Sequence, residues 1–510
     1  MANVRQEGRL REIPSIGPGI AAAIEQTLES GTFIAHSELI GRFPESLIEL
    51  TTIPGIGAKT AVRLFQELGI ENLNELESAL AAGTIRAHKG LGARTEATVR
   101  AGLELLRRRT GRIPLGAALP IAQSFMRMFE TSHPQAAIHL AGSARRWDIT
   151  VGDLDFVVTA SSPAVATRAL KSLPMVTSLV SESERDLRLE LAGGIEADIF
   201  FTDPESLGST IVRATGTPRH LEHLGEIPDR AATEGEIYAA RGLPWIPPEL
   251  RTGGHEFDQT SDIASLVTIA DVRGELHAHT TWSDGQASIR EIADAAAARD
   301  YEYLGITDHS HGLGVAGGLT LERLTAQRGE LDTVNRAQNV MLLAGAEVEV
   351  HRDGSLDFDD ETLANLDVVV ASLHSGLRQP QEELTSRLRR VLENPNVDII
   401  AHPSGRLIER REGGDFDWDQ VFTAAARSGT ALEINADPAR LDLDPALASR
   451  ARAAGCLLAI NCDAHSGTGF AGMAYGIAMA RKAWLKPEQI LNCWTRERVL
   501  DWLTNRGTLV

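Results

Sequence analysis

From residue 269 onward, short apolar runs alternate with stretches of helical spacing. The runs are Gly274-Glu275-Leu276, Tyr303-Leu304-Gly305-Ile306, Leu342 to Ala346, Val368-Val369-Val370, Ile399-Ile400, Leu432-Glu433-Ile434 and Leu457 to Ile460. Between them, Ile289 to Arg299, Leu321 to Ala337, Glu382 to Leu392, Trp418 to Ser428 and Pro445 to Ala454 carry apolar residues at the period of an amphipathic helix. Seven strands with intervening helices predict a right-handed, parallel, barrel-like α/β domain over 269–510. Upstream the pattern changes. Residues 113–245 mix helix with strands at Ala136 to Leu140, Val151 to Val158 and Ile195 to Phe201, an α+β pattern. Residues 1–112 read as short helices separated by glycine turns, with no strand. Pro247-Pro248 and Gly253-Gly254 mark 246–268 as a linker. The expected fold class is therefore multidomain α/β: a helical region, an α+β domain and a C-terminal (β/α)7 barrel.

Six of the seven C-terminal runs end on a histidine or an acidic side chain, and the seventh ends on Asn435. A β/α barrel gathers the C-terminal ends of its strands at one mouth. The residues so placed are His277, His279, Asp284, His309, Glu347, His374, His402, Asp463 and His465. His-x-His and Asp-x-His put two ligand groups on one face of an extended segment. Nine such groups exceed the roughly four that one zinc ion takes, so two or three ions are expected. Imidazole with carboxylate and no thiolate suits Zn2+, Mn2+ or iron. Such clusters hold the oxygens of a phosphate ester during in-line attack. His139, His220, His223 and His351 stand outside this pattern and are expected to be structural.

Two further motifs bear on function. In Asp153-Leu154-Asp155 the two carboxylates share one face of a strand, as a Mg2+ pair requires, and Asp198 stands on a later strand. In the N-terminal region, Ile13-Pro14-Ser15-Ile16-Gly17-Pro18-Gly19 and Ile53-Pro54-Gly55-Ile56-Gly57-Ala58-Lys59 share one pattern, and Gly90-Leu91-Gly92 is a looser third copy. Each resembles a helix-hairpin-helix. Its glycines let the backbone turn tightly and approach a phosphate, and the next helix offers its N-terminus to the anion. Lys59, Lys89, Arg94 and Arg107-Arg108-Arg109 add positive charge.

The formal net charge of −20 argues, by itself, against a nucleic-acid binder. Charge averages over domains, however, and a local basic face can still track phosphates. No apolar stretch reaches the roughly 18 residues of a membrane span, and the N-terminus lacks an apolar signal core. Cys456, Cys462 and Cys493 form no CxxC pair, so free thiols in a reducing cytoplasm are expected. A monomer is expected.

The blocks LHAHTTWSDG, ITDHS, HPSGRLIERREG, LEINADPARLDL and AYGIAMARKAWLKPE resemble the PHP (polymerase and histidinol phosphatase) domain, in the version fused to bacterial family X DNA polymerases. The resemblance implies a trinuclear, usually manganese-dependent, 3′-5′ exonuclease with Arg406 as a phosphate contact. The central motifs resemble a nucleotidyltransferase palm. They imply Asp153, Asp155 and Asp198 as the Mg2+-binding catalytic triad, with Gly142, Ser143, Arg146, Gly152 and Gly216 around the triphosphate. Partners would be gapped or 3′-ended duplex DNA and dNTPs. The sequence departs from the family at Arg213-Ala214, where aromatic residues are usual, at Leu221 in place of Asn, and at Glu196 in place of Arg. The thumb is short, and the lyase lysine has no counterpart. Three alternatives follow: a nuclease whose palm only binds DNA, a phosphatase of the histidinol-phosphate type, and a non-enzymatic DNA-end scaffold.

Overall fold

The computed structural model describes residues 111–505 throughout and, before them, 18–30, 39, 42–44, 46–51, 53, 56–88, 91–92 and 95–100. The chain divides into two compact units, Met1–Thr110 and Gly111–Val510.

In the first unit the described residues form helices and no strand. Pro18–Ser30, Ala58–Leu68 and Leu73–Ala82 are the longest. The glycines that punctuate the sequence end two of them: Gly69 and Gly83 both take left-handed backbone as C-caps (φ 67°). A residue with a Cβ is disfavoured there. Asn72 opens the next helix by accepting a bond from Glu75 N. Leu50, Ile53, Ile56, Leu64, Leu76, Leu80, Ile85 and Val99 bury together as a small core. Gly17, Gly55, Gly90, Lys89, Arg94 and the Arg107–Arg109 run lie outside the described residues.

The second unit opens with a five-stranded sheet: β1 (Ala137–Leu140), β2 (Asp153–Thr159), β3 (Val176–Glu182), β4 (Asp186–Leu191) and β5 (Glu196–Thr202). Their order is β1-β2-β5-β4-β3, and only β2 and β5 run parallel. Along β2, β4 and β5 apolar and polar residues alternate. One face therefore packs Leu154, Phe156, Leu189 and Ile199 against Phe125 and Phe129 of the helix Leu115–Ser132. The other face carries the acidic residues.

The rest of the unit is a seven-stranded parallel sheet: β6 (Gly274–Ala278), β7 (Tyr303–Ile306), β8 (Met341–Glu349), β9 (Val368–Ser372), β10 (Ile399–Ile400), β11 (Ala431–Asn435) and β12 (Leu458–Asn461). Neighbours in sequence are neighbours in the sheet. A bridge from Ala278 to Ala464 brings the two edges together, so the barrel is nearly closed. Its strands are buried on both faces, which explains why they read as unbroken apolar runs. Leu276, Tyr303, Val370, Ile399 and Ala459 fill an interior layer with Leu491, Val499 and Trp502 from the C-terminal segment. The histidines and carboxylates occupy the opposite, C-terminal ends of the strands.

Residues 246–268, expected as a linker, are packed instead. Leu250, Ile263 and Leu266 join Val212, Leu224, Ile237, Tyr238 and Trp484 in one core. Arg251 is wholly buried and paired to Glu234 at 2.5 Å. Proline and glycine here shape short 3-10 turns over an apolar floor rather than a free tether. Among the described residues no helix is long and apolar enough to cross a membrane.

Candidate active sites

At the barrel mouth Glu347, at the end of β8, stands at the centre of the histidines. Its carboxylate lies 2.7 Å from His309 Nδ1, 3.0 Å from His402 Nε2, and 3.5 Å from the Nε2 atoms of His277, His279 and His374. Asp463 Oδ1 is 3.1 Å from His279 Nε2. Asp284 lies 3.5 Å from His309 Nε2 and 3.4 Å from His465 Nε2. The structure thus brings all nine expected residues to one place. Three overlapping sets have ligand geometry: His279, Asp284, His309 and His465; His277, His279 and Glu347; His309, Glu347 and His374.

The cluster fits metal ions on its own chemistry. His277 and His279 point Nε2 atoms at each other across 3.2 Å. Glu347 Oε2, Asp463 Oδ1, His279 Nδ1 and His402 Nδ1 are buried and make no hydrogen bond, although imidazole nitrogens stand close to both oxygens. Buried polar atoms without partners are costly, and a shared cation satisfies them at once. Burial alone would raise the pKa of Glu347 and Asp463, but the surrounding imidazoles hold both well below the usual carboxylate range. They are ionised, ready ligands at neutral pH. His402 and Asp463 also sit in left-handed backbone, at φ 29° and φ 51°. Such strain costs on the order of 1–3 kcal/mol and persists where surrounding structure holds it.

Several partners of the cluster were not foreseen from sequence. Glu433, buried on β11, takes His277 Nδ1 at 2.8 Å and the backbone N–H of His402 at 2.7 Å. Glu349 takes His374 Nδ1 at 2.8 Å. Each carboxylate fixes a ring so that Nε2 faces the cluster. Asp308 accepts from Thr280 N, Thr280 Oγ1, Ser283 Oγ and Gln327 Nε2, and so folds the loop that carries Asp284. Period-2 spacing was the one signal: Glu433 precedes the strand-end residue Asn435, and Glu349 follows the expected ligand Glu347, each by two residues.

Arg406, expected as a phosphate contact, has its guanidinium committed elsewhere. Nε donates to Arg440 O at 2.7 Å, Nη1 to Asp444 at 3.2 Å and Nη2 to Leu441 O. It braces the loop after β11. On that loop Arg440 places Nε 3.8 Å from Asp463 Oδ2, and its Nη1 is buried without a hydrogen-bond partner.

In the five-stranded sheet Asp155 and Asp198 are direct register partners across β2 and β5. With Asp153 they bring ligand atoms within 4.8 Å of one another. Burial first, then the charges of Asp153 and Asp198, push Asp155 up to about 7. A divalent cation would relieve that repulsion, so the trio fits one. Gly142 has φ 63°, and a Cβ there would overlap the Asp155 carboxylate, which accounts for the glycine. The hydroxyl of Ser143 is buried and unpartnered. Glu196 adds a negative charge, but Arg188 on β4 offsets it. Arg188 is the register partner of Asp198, grips both its oxygens at 2.5 Å, and lies 3.5 Å from Glu196. Gly216 packs against Leu221, and Gly152 lies beside Arg112. His220 is a core residue held by Glu256 and Tyr238.

In the first unit Gly57 precedes the helix Ala58–Leu68, with Lys59 exposed. Gly57 has extended backbone (φ −82°) and open space where a Cβ would go. A tight turn is therefore not what requires this glycine. Gly19 is likewise open, whereas Gly92 takes φ 69°.

The family of SAM-like helix-hairpin-helix tandems matches residues 47–104, and the PHP domain family matches residues 275–436. Over 506 residues the chain is 36% identical to the DNA polymerase/3′-5′ exonuclease PolX of Bacillus subtilis, covering 95% of this chain and 89% of that one. Proteins named "Probable phosphatase" match more narrowly. That of Syntrophotalea carbinolica is 29% identical over 45% of this chain and 95% of its own, and that of Edwardsiella ictaluri 30% over 46% and 94%. The second group spans less than half of this chain, whereas the first similarity runs through helical region, palm and barrel together. The chain belongs to the family of bacterial PolX enzymes, family X DNA polymerases that carry a C-terminal PHP domain.

Proposed function

We propose that the chain is a DNA repair enzyme with two active sites on one polypeptide. The palm extends a 3′ end by template-directed nucleotidyl transfer, and the barrel removes 3′ nucleotides by phosphodiester hydrolysis. The observation that carries this reading is the presence in one unit of two ligand clusters of different chemistry, one of three carboxylates and one of imidazoles around Glu347. Carboxylates alone suit Mg2+, held by Asp153, Asp155 and Asp198. Imidazole with carboxylate suits two or three ions of Mn2+ or Zn2+, held by His277, His279, Asp284, His309, Glu347, His374, His402, Asp463 and His465. Bound ions lower the pKa of an attacking hydroxyl or water and neutralise charge gathering on the phosphate.

The remaining work falls to the protein. Glu433 and Glu349 keep His277 and His374 in the tautomer that presents Nε2. Arg440, rather than Arg406, meets a phosphate oxygen with its unpartnered Nη1, while Arg406 holds its loop. In the palm Ser143 and Arg146 hold the triphosphate of an incoming dNTP, with Gly142, Gly152 and Gly216 in the backbone around it. The helix-hairpin-helix unit grips backbone phosphates through Gly19, Gly57, Lys59 and Gly92, with Gly17, Gly55 and Gly90 in the equivalent turns. The substrate is gapped or 3′-ended duplex DNA, and the enzyme acts as a monomer.

A 5′-labelled primer in a gapped duplex tests both sites. With Mn2+ alone the primer shortens; with dNTPs added it lengthens. A primer unchanged under both conditions overturns the reading. Shortening without extension would favour a palm that only binds DNA, which Leu221 against Gly216 also favours. The likeness of the barrel half to proteins named as phosphatases favours one other reading, a small-molecule phosphatase. Turnover of histidinol phosphate far faster than DNA shortening would support it.

A further inference from the structure

The segment AYGIAMARKAWLKPE belongs to neither ligand cluster. It forms the helix Met473–Lys482 and the turn after it, and it reaches from the barrel into the palm. Tyr475 meets Trp147 edge to face at 5.2 Å. Lys482 goes further. Its Nζ donates to Arg146 O at 2.7 Å and to Asp148 Oδ1 at 2.8 Å. The other oxygen of Asp148 takes Nε and Nη2 of Arg146, at 3.1 and 2.7 Å. Arg146 Nη1 donates to Thr215 O at 2.7 Å. All three charged side chains are mostly withdrawn from solvent, with Lys482 12% and Arg146 14% exposed.

A guanidinium has five N–H groups. Three are engaged here, which leaves one on each Nη. That pair suits a phosphate. Lys482 occupies one oxygen of Asp148, so the carboxylate meets Arg146 through the other oxygen alone, and this fixes the direction in which the free pair points. We propose that Lys482 is a positioning residue for nucleotide binding: from the barrel it holds Asp148 and the Arg146 backbone so that the Arg146 guanidinium keeps its two free N–H groups turned to the incoming triphosphate. The inference rests on the reading of Arg146 as a triphosphate contact.

Removal of the ammonium leaves Asp148 with Arg146 as its cationic partner. A carboxylate and a guanidinium left to themselves close into a two-pronged pair. That pair re-uses the Nε and Nη2 N–H groups already engaged, but it swings the guanidinium toward the freed oxygen of Asp148 and releases the Arg146 carbonyl from its anchor, so the two free N–H groups turn away from the triphosphate. The loss falls on binding rather than on the chemical step, so KM rises while kcat holds.

The test uses the full chain and four preparations: wild type, Lys482→Met, Lys482→Arg and Arg146→Ala. Each is assayed for dNTP KM and kcat on a gapped primer, for dATP affinity by calorimetry, and for exonuclease rate on the same DNA. Lys482→Met should raise KM and Kd for dATP about tenfold, keep kcat within about twofold, and leave the exonuclease rate unchanged. Lys482→Arg keeps the charge and should restore KM to within about threefold of wild type. Wild-type affinity in Lys482→Met, alongside weakened affinity in Arg146→Ala, overturns the inference and spares the Arg146 reading. Wild-type affinity in Arg146→Ala overturns both. Loss of exonuclease together with dATP binding in Lys482→Met reduces Lys482 to a docking contact and overturns the inference. Failure of Lys482→Arg to restore affinity does so as well, because charge would then not be the agent.

Discussion

Glu433 touches no substrate in the proposed reaction, yet it takes His277 Nδ1, the His402 amide and the amides of Asn435 and Asn461. Glu433→Gln keeps the shape of the side chain but puts an NH2 where one of these donors points. The tautomer of His277 is then no longer fixed. Mn2+ affinity, measured by titration into metal-stripped protein, should fall by about 10- to 100-fold, the range for lost hydrogen bonds behind metal ligands. Excess Mn2+ should recover much of the exonuclease rate. Unchanged affinity would mean that β11 alone orients the ring. Arg440 and Arg406 divide a second role. Arg440→Gln removes the buried, unpartnered Nη1 donor proposed to meet the phosphate and should lower exonuclease kcat/KM by about 100-fold or more. Arg406→Gln acts only through the loop and should lower it less while also lowering Tm. The reverse order of severity would return the phosphate contact to Arg406.

At the scale of elements, the ion pairs around Glu234 tie the residues once expected to form a linker to the palm. Glu234 bridges Arg145 at 2.8 Å and the buried Arg251 at 2.5 Å. Burial pushes its pKa up, but the two guanidiniums outweigh this and hold it at about 2, against an ordinary 4.5. A depressed carboxylate pKa contributes stability that is complete above the unfolded value and is lost as pH falls through the folded one. The window here is about pH 4.5 down to about 2, and the contribution is roughly 3 kcal/mol by linkage. Glu234→Gln should therefore lower stability to denaturant at pH 7 by about 3 kcal/mol, and by more where Arg251 is left unpaired. The gap between variant and wild type should narrow as pH drops below 4.5. A gap that does not change with pH would remove the ion pairs as its source. Gly57 makes a cleaner probe of the helix-hairpin-helix. A Cβ there meets no neighbour, and the extended backbone accepts any residue. Gly57→Val should keep Tm and weaken DNA binding several-fold on every sequence alike, because phosphates carry no sequence information. Equal affinity would place the DNA on other parts of the chain.

The same elements show what a sequence can disclose. The nine barrel residues were legible because parallel strands covered on both faces read as apolar runs, and a histidine just past such a run stands out. The Asp153-x-Asp155 pair was legible because period-2 geometry is local. Arg188 was not, since its place beside Asp198 depends on the register of the β4–β5 hairpin. The burial of Arg440 was hidden because an arginine on a loop is usually a solvated charge, and the commitment of Arg406 to backbone carbonyls depends on a fold-level contact no local pattern reports. The misreading of 246–268 has a related cause. Proline and glycine report turns, and they do not say whether Leu250 and Ile263 beside them find a core.

At the scale of the whole molecule, one chain makes and removes the same bond, and its two sites share a unit through Lys482, Asp148 and the Tyr475–Trp147 contact. The proposed ligand sets have no residue in common. Single substitutions should therefore separate the activities cleanly. Asp153→Asn removes one carboxylate charge from the palm trio and should abolish primer extension, a loss of about 100-fold or more for a shared ligand of catalytic ions. Its exonuclease should run at the wild-type rate, which also proves the fold intact. His309→Ala removes a ring 2.7 Å from Glu347 and 3.5 Å from Asp284 and should abolish shortening while extension persists. In wild type the two reactions compete for one 3′ end, so product length under dNTPs reflects their ratio. His309→Ala should then give longer products than wild type at equal enzyme and dNTP concentration, even though its palm is unchanged. Equal lengths would mean that a 3′ end in the palm is out of reach of the barrel during synthesis, and that the two sites work on different DNA molecules rather than on one end in turn.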